Sequence, residues 1–306
     1  MTHGVRCAKI NLKESVFSRE IKMEYLLVSI SMLSMVLQNS LFNTEGKRTL
    51  KTREDRFFFN AAMYTVCILL FATLAIIVGK FSWFTLVIGL VFGLVTSLSN
   101  YSKLTALSKG PMHITVLITS SSMIISALSG ALFFNESFSV GKAIATVMLL
   151  GFIYISLGRS GNTEIKKGWG IICIVTFLLQ GIIGILQKVH QTSQYKDEIF
   201  LFLASAFVFS FAFSAILSGG IKKERVFGKR QYIFAVVCGL CTFLMNFLNL
   251  KLSGILPSQI FFPLVNGGAI VITSIVSVFF FKEKLTKTQL VGLVGGFCSL
   301  ILICLL

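Results

Sequence analysis

Charged residues, and acidic residues above all, are scarce in this sequence. Only 13% of its 306 residues are charged, and 12 Asp and Glu side chains stand against 28 Lys and Arg. Hydrophobic residues make up 55% of the chain, and the mean hydropathy is +0.85. A soluble protein of this size could not cover its surface with so few polar groups. The composition therefore excludes an ordinary soluble domain and indicates a membrane protein.

Proline is also rare, with three residues in the whole chain. Uninterrupted apolar runs of about 20 residues are long enough to cross a bilayer as helices. Lipid allows only helices or closed barrels, and continuous rather than alternating runs favour helices. We therefore predict an all-α integral membrane fold with ten transmembrane helices and short connections. The predicted spans cover roughly residues 24–44, 57–79, 82–106, 112–134, 141–158, 168–189, 198–219, 231–250, 255–281 and 287–306.

None of the acidic residues lies deep inside a predicted span, where a carboxylate could bind a proton or a cation within the membrane. An antiporter that exchanges organic cations for protons needs a buried carboxylate, so neutral or zwitterionic substrates are favoured. The chain has three His residues and no metalloprotease, nucleophile-elbow or phosphate-loop motif. We therefore do not expect an enzyme, a cofactor or a metal. The Cys238-x-x-Cys241 pair lacks further ligands nearby and is interpreted as apolar packing.

The basic residues concentrate between the predicted spans, which indicates cytosolic loops and membrane lipids as partners, with no nucleic acid. Most follow odd-numbered spans, among them Lys103 and Lys109 after span three, so the positive-inside rule places both termini outside the cytoplasm. We expect a multi-pass protein of a bacterial inner (plasma) membrane, as a monomer or alternatively a dimer. Residues 1–22 form a basic N-terminal tail that favours the opposite orientation. We interpret it as a mis-assigned start, with translation beginning at Met23.

The two halves of the chain share a pattern. Phe133-Phe134-Asn135-Glu136 near the middle matches Phe280-Phe281-Lys282-Glu283 near the end. Further matches pair Asn100 with Asn246, Pro111 with Pro257, and Gln38 with Gln180, in the same order. This predicts two five-helix repeats, residues 23–160 and 161–306. Because five is odd, the second repeat enters the membrane in the opposite sense, an arrangement typical of transporters.

The motif after the ninth span, Glu283-x-Leu-Thr-x-x-Gln-x-x-Gly292, resembles the drug/metabolite transporter superfamily of the EamA-like kind. The first copy keeps Glu136 and Ser139 but has Lys142 and Ala145 where the second has Gln and Gly. The resemblance implies a ten-helix secondary transporter and leaves the substrate open. Two departures are notable. Relatives often carry Trp-Gly where this chain has Gln38-Asn39 and Gln180-Gly181, and relatives generally have both termini inside.

Polar side chains within the spans are the candidates for substrate binding. Gln38 and Gln180 occupy matching positions, so their amides could bind one substrate from both sides. The alternative is that such side chains join helices together. The full set of candidates is Gln38, Asn39, Tyr64, Asn100, His113, Ser120, Ser121, Gln180, Asn246, Asn249, Gln259 and Asn266. Glu136 and Glu283 are expected instead to stabilise the start of the helix that follows each of them.

These observations predict a secondary-type transporter that moves a small polar or zwitterionic metabolite, such as an amino acid or nucleobase. It would work by alternating access around a midplane cavity between the repeats. The alternative is a membrane-embedded enzyme, or a lipid-handling or sensor protein without transport. Substrate identity, direction of transport and ion coupling are open at this point.

Overall fold

The computed structural model describes residues 2–136, 139–156, 165–219, 227–283 and 285–305. The predicted repeat boundary at residues 160–161 lies outside these residues. Helices account for 85% of the protein, and the described residues include no strand, which confirms the all-α class. The helices are α1 (Thr2–Arg48), α2 (Arg53–Val78), α3 (Trp83–Lys109), α4 (Met112–Ser120), α5 (Met123–Phe133), α6 (Val140–Ser156), α7 (Trp169–Thr192), α8 (Ile199–Leu217), α9 (Lys229–Ile255), α10 (Ser258–Phe279) and α11 (Lys287–Leu305).

Eight helical segments among the described residues are long and apolar enough to span a membrane. They are α1 from Met23 onward, α2, α3, the α4–α5 run, α7, α8, α9 and α10. Large apolar side chains cover the outer faces of the bundle; Ile76 and Phe280, for example, are each 80% exposed. Water would not tolerate so much exposed apolar surface, whereas lipid does. The chain is therefore a multi-pass membrane protein. Helices α6 and α11, which pack on each other, lie outside the set of eight.

Two elements differ from the sequence prediction. The fourth predicted span, residues 112–134, is confirmed as one apolar segment, Met112–Phe133, but a turn at Ser121 and Ser122 divides its helix into α4 and α5. The Ser121 hydroxyl donates to the Leu117 carbonyl at 2.5 Å, and such side-chain bonds compete with the helical ladder. Helix α1 runs from Thr2 through Met23, so the expected N-terminal tail and the first span share one helix. Translation from Met23 stays a prediction.

Small residues let α3 and α8 approach closely near the centre of the bundle. A Cβ atom on Gly93 would lie 2.2 Å from the Ala206 carbonyl oxygen, so only glycine fits there. The Ser210 hydroxyl donates to the Gly93 carbonyl at 2.8 Å, and one turn further on Ser97 and Ser214 share a hydrogen bond of 2.6 Å. Close backbone contact and interhelical hydrogen bonds of this kind hold helices together in lipid. This contact holds α3, which carries several central polar residues, in position against α8.

Helices α4 and α10 begin in the same way. Each follows a proline, Pro111 or Pro257, whose extended backbone sets the direction of the first turn. Neither proline has a side chain that could bind the free N–H groups of that turn. Those groups must therefore find acceptors elsewhere in the molecule.

Candidate functional site

A polar cavity lies in the middle of the bundle, between α1, α3, α5, α7, α9 and α10. It leaves about 90 Å³ in which the centre of a water molecule can move. Its polar lining consists of Gln38, Thr96, Ser99, Asn100, Lys103, Ser122, Ser126, Gln180, Gln187, Asn246, Asn249 and Asn266. Met35, Phe261 and Phe262 are among the apolar lining residues. A small space with several amides in its lining is suited to a small polar molecule.

Six of the twelve candidate residues line this cavity: Gln38, Asn100, Gln180, Asn246, Asn249 and Asn266. The Gln38 Nε2 atom donates to the Thr242 hydroxyl at 2.6 Å, while its Oε1 atom is buried and has no hydrogen-bond partner. The Ser31 hydroxyl donates to Asn249 Oδ1 at 2.6 Å. These two bonds tie α1 to α9, so the amides join helices.

The other six candidates do not line the cavity: Asn39, Tyr64, His113, Ser120, Ser121 and Gln259. Tyr64 is fully buried, and its hydroxyl accepts a hydrogen bond of 2.9 Å from Asn100 Nδ2, so it orients a lining amide. Of the three consecutive serines, the third, Ser122, reaches the cavity, because the turn between α4 and α5 changes the face each residue presents. Asn39 is buried with both amide atoms unpaired.

Six of the polar lining residues were not among the sequence-predicted candidates, and Lys103 and Gln187 have the longest side chains of the six. Lys103 was assigned to the loop after span three, but it lies inside α3, is 2% exposed and lines the cavity. Gln187 lines it from α7. Helical spacing was the available signal, since Lys103 follows Asn100 by three positions and Gln187 follows Gln180 by seven. Lys103 lay near the end of the predicted span 82–106 and was counted with the loop that follows, whereas α3 continues six residues beyond it.

Glu283 binds the start of α4. Its carboxylate accepts hydrogen bonds from the Met112 N–H at 2.8 Å and the His113 N–H at 3.3 Å. The His113 Nδ1 atom lies 2.7 Å from the same carboxylate, and Lys47 Nζ lies 3.7 Å away. Burial raises the pKa of Glu283, but the hydrogen bonds from His113 and Met112 and the nearby charges outweigh it, so the pKa lies below its ordinary value. We call Glu283, Met112, His113 and Lys47 the Glu283 clamp.

Glu136 binds the start of α10 in a matching way. Its carboxylate accepts hydrogen bonds from the Ser258 N–H at 3.0 Å and the Ser258 hydroxyl at 3.2 Å. Lys188 Nζ lies 2.6 Å from Glu136 Oε1. A Cβ atom on Gly130 would lie 2.3 Å from Glu136 Oε2, so glycine leaves the room that the carboxylate occupies. We call Glu136, Ser258 and Lys188 the Glu136 clamp.

The Glu283 clamp corrects the expectation that Glu283 stabilises the helix that follows it, whereas residues 137 and 138, which join Glu136 to α6, lie outside the described residues. At the start of α11 that role belongs to Thr286 and Gln289, since the Thr286 N–H donates to Gln289 Oε1 and the Gln289 N–H donates to Thr286 Oγ1. The residue before each Glu, Asn135 or Lys282, has a positive φ of 52° or 54°. This turn sends each Glu toward a helix distant in sequence, which local spacing does not reveal.

Comparison with known proteins gives a fold and no function. No model of a protein family matches the chain, and no curated protein matches it. One solved structure, described as "Crystal structure of protein", superimposes with a TM-score of 0.68 at 13% identity. The superposition covers 93% of this chain and 97% of that chain. Another protein with little sequence likeness therefore adopts the same fold over nearly its whole length.

Proposed function

We propose that the protein is a secondary transporter, built from ten membrane-spanning helices in two inverted five-helix repeats, that moves a small polar metabolite by alternating access. The helix contacts support the repeat, because they occur in pairs that the repeat exchanges. Helix α1 packs on α9 as α7 packs on α3, and α1 packs on α10 as α7 packs on α4 and α5. Two further contacts, α2 with α8 and α6 with α11, each join an element to its own counterpart.

The reciprocal clamps are the observation that carries the proposal. Glu136 follows α5 and binds the start of α10, while Glu283 follows α10 and binds the start of α4. Helix α10 has 22 residues and is therefore about 33 Å long, so the clamps close opposite ends of one antiparallel pair. The cavity lies between them, lined by Ser122 on one side and Asn266 on the other. Opening one clamp while the other stays closed would expose the cavity to one side of the membrane at a time.

The test measures access to the cavity from each side. All seven cysteines are replaced, and Ser122→Cys supplies one thiol in the lining. An impermeant maleimide is then applied to right-side-out and inside-out vesicles. We expect Glu136→Gln to increase labelling from one side and Glu283→Gln to increase it from the other, since each loses the charge that holds its clamp.

Glu198→Gln is the matched control, because Glu198 is also buried and accepts a hydrogen bond of 2.6 Å from Ser82, outside both clamps. It should leave labelling from both sides unchanged. Increased labelling from the same side in both clamp variants would contradict alternating access. Unchanged labelling in both clamp variants would also contradict alternating access and would favour a sensor without transport.

A further inference from the structure

We propose that the cavity is a site for a small monocarboxylate, whose single negative charge pairs with Lys103. This specifies the substrate class of the proposed transport site and rests on that function only for the statement that the ligand is carried. It departs from the sequence-based expectation of a neutral or zwitterionic substrate. Lys103 is the one charged side chain in the lining of the cavity, as far as the structure describes it.

Lys103 differs from the other deeply buried basic side chains. Arg56 donates hydrogen bonds to the Leu50 carbonyl and to two hydroxyls of α3. Lys188 lies against Glu136 and donates to the Ser253 carbonyl at 3.0 Å. Lys103, at 2% exposure, has no hydrogen bond and no acidic partner among the described residues. Its ammonium is therefore the one of the three that is left for a ligand.

Charge balance decides the class of ligand. A buried ammonium without a counter-ion is unfavourable, and an anion that enters the cavity removes that penalty. One positive charge is balanced by one negative charge, so a dicarboxylate would leave an excess negative charge in a medium of low dielectric constant. A zwitterion would bring an ammonium of its own, and no carboxylate among the described residues lines the cavity to receive it. A monoanion is the charge state that leaves the filled cavity neutral.

The amides around Lys103 specify the uncharged part of the ligand. Asn246 and Asn266 line the cavity and donate through Nδ2 to the Thr242 and Phe262 carbonyls, so their amide oxygens, which only accept, suit an N–H or O–H donor. Gln180 and Gln187 line the cavity from α7 and offer donors as well as acceptors. Hydroxy acids and N-acylated amino acids have the required combination of a carboxylate and a nearby donor.

A basic pocket beyond Lys103 on α3 is consistent with an anionic ligand. It is lined by Gly46, Lys47, Lys51, Arg56, Ser108, Lys109, Gly110 and Lys166 and has a volume of about 390 Å³. It lies beside the Glu283 clamp, with which it shares Lys47. A cleft lined by five basic side chains raises the local concentration of anions. Opening of that clamp would connect this pocket with the cavity.

The test is a thermal-shift measurement on the purified full-length protein in detergent at neutral pH. The probes are lactate and N-acetylglycine, their neutral amides, the dianion succinate and the zwitterion alanine. We expect both monoanions to raise the unfolding temperature more than the other probes, because a ligand that binds only the folded protein stabilises it. Lys103→Gln should weaken monoanion binding at least about tenfold, a change of about 1.4 kcal/mol. Lys80→Gln, which breaks a surface ion pair with Asp197, should leave binding unchanged.

Two outcomes would overturn the proposal: an equal response to lactate and lactamide, including none at all, or a Lys103→Gln protein that keeps the monoanion response. A measurement without ligand provides a second check. Lys103→Met should raise the unfolding temperature of the ligand-free protein, since it removes an unpaired buried charge, and a lower temperature would mean that the ammonium has a structural role. Binding in detergent does not require alternating access, so failure here is distinct from failure of the labelling experiment.

Discussion

Glu136 and Glu283 occupy matching positions in the two halves of the chain, and both bind the first turn of a distant helix. Their other partners differ. Glu136 lies 2.6 Å from Lys188, and their side chains are 16% and 8% exposed, so this clamp contains a largely buried pair of full charges. Glu283 lies 3.7 Å from Lys47, whose side chain is 38% exposed, and it depends more on His113 and two backbone N–H groups. One clamp is thus held by a buried ion pair and the other mainly by hydrogen bonds.

The largest loss of stability is expected where removal of the carboxylate leaves a buried lysine without a counter-ion. Glu136→Gln leaves Lys188 without its counter-ion and should lower the free energy of unfolding by up to about 3 to 5 kcal/mol. Thermal unfolding in detergent measures the loss. The double variant Glu136→Gln/Lys188→Gln should recover much of it, because no unpaired charge remains. A double variant as unstable as the sum of both single variants would contradict the difference between the clamps.

A smaller loss is expected at the second clamp. Glu283→Gln should lower the free energy of unfolding by about 1.5 to 3 kcal/mol. It weakens hydrogen bonds to a charged acceptor but leaves no buried charge without a partner. Lys47→Gln should change stability by less than about 1 kcal/mol, because Lys47 is partly solvated. The same thermal measurement checks both variants. If Lys47→Gln proved as harmful as Glu283→Gln, the second clamp would be an ion pair after all.

Acid should weaken the Glu283 clamp only at low pH. The pKa of Glu283 in the folded protein lies below its ordinary value of about 4.3, so its stabilisation is full above that value and is lost as the pH falls through the folded pKa. The difference in unfolding temperature between the native protein and Glu283→Gln should therefore be constant near neutrality and shrink below about pH 4. A difference that shrinks already at pH 6 would contradict the lowered pKa.

A small loss of stability is also expected at His113. Gln259 is the residue at the matching position of the other half, so His113→Gln makes the two clamps more alike. The hydrogen bond between His113 and Glu283 is one of several that the carboxylate makes, and its loss should cost about 1 kcal/mol. A loss larger than that of Glu283→Gln would show that His113 has a further partner in the protein.

The sequence predicted the candidate site in part. Matching positions in the two halves singled out Gln38, Gln180, Asn100 and Asn246, and all four line the cavity. Lys103 was missed because a basic residue near a predicted helix end is ordinarily counted with the following loop, although it lay within the predicted span 82–106, and α3 continues to Lys109. Ser120 and Ser121 were chosen over Ser122 because spacing alone does not reveal a helix break.

Composition and periodicity by themselves determined the all-helical membrane class, because apolar length and backbone hydrogen bonding in lipid leave few alternatives. Pattern matching also placed Glu136 and Glu283 at corresponding positions. Only the tertiary structure decided that each binds a helix more than a hundred residues away, that Lys188 is its partner in one case and His113 in the other, and that Lys103 faces the cavity unpaired. Helix formation follows from local rules, whereas the partner of a buried charge depends on which helices pack together.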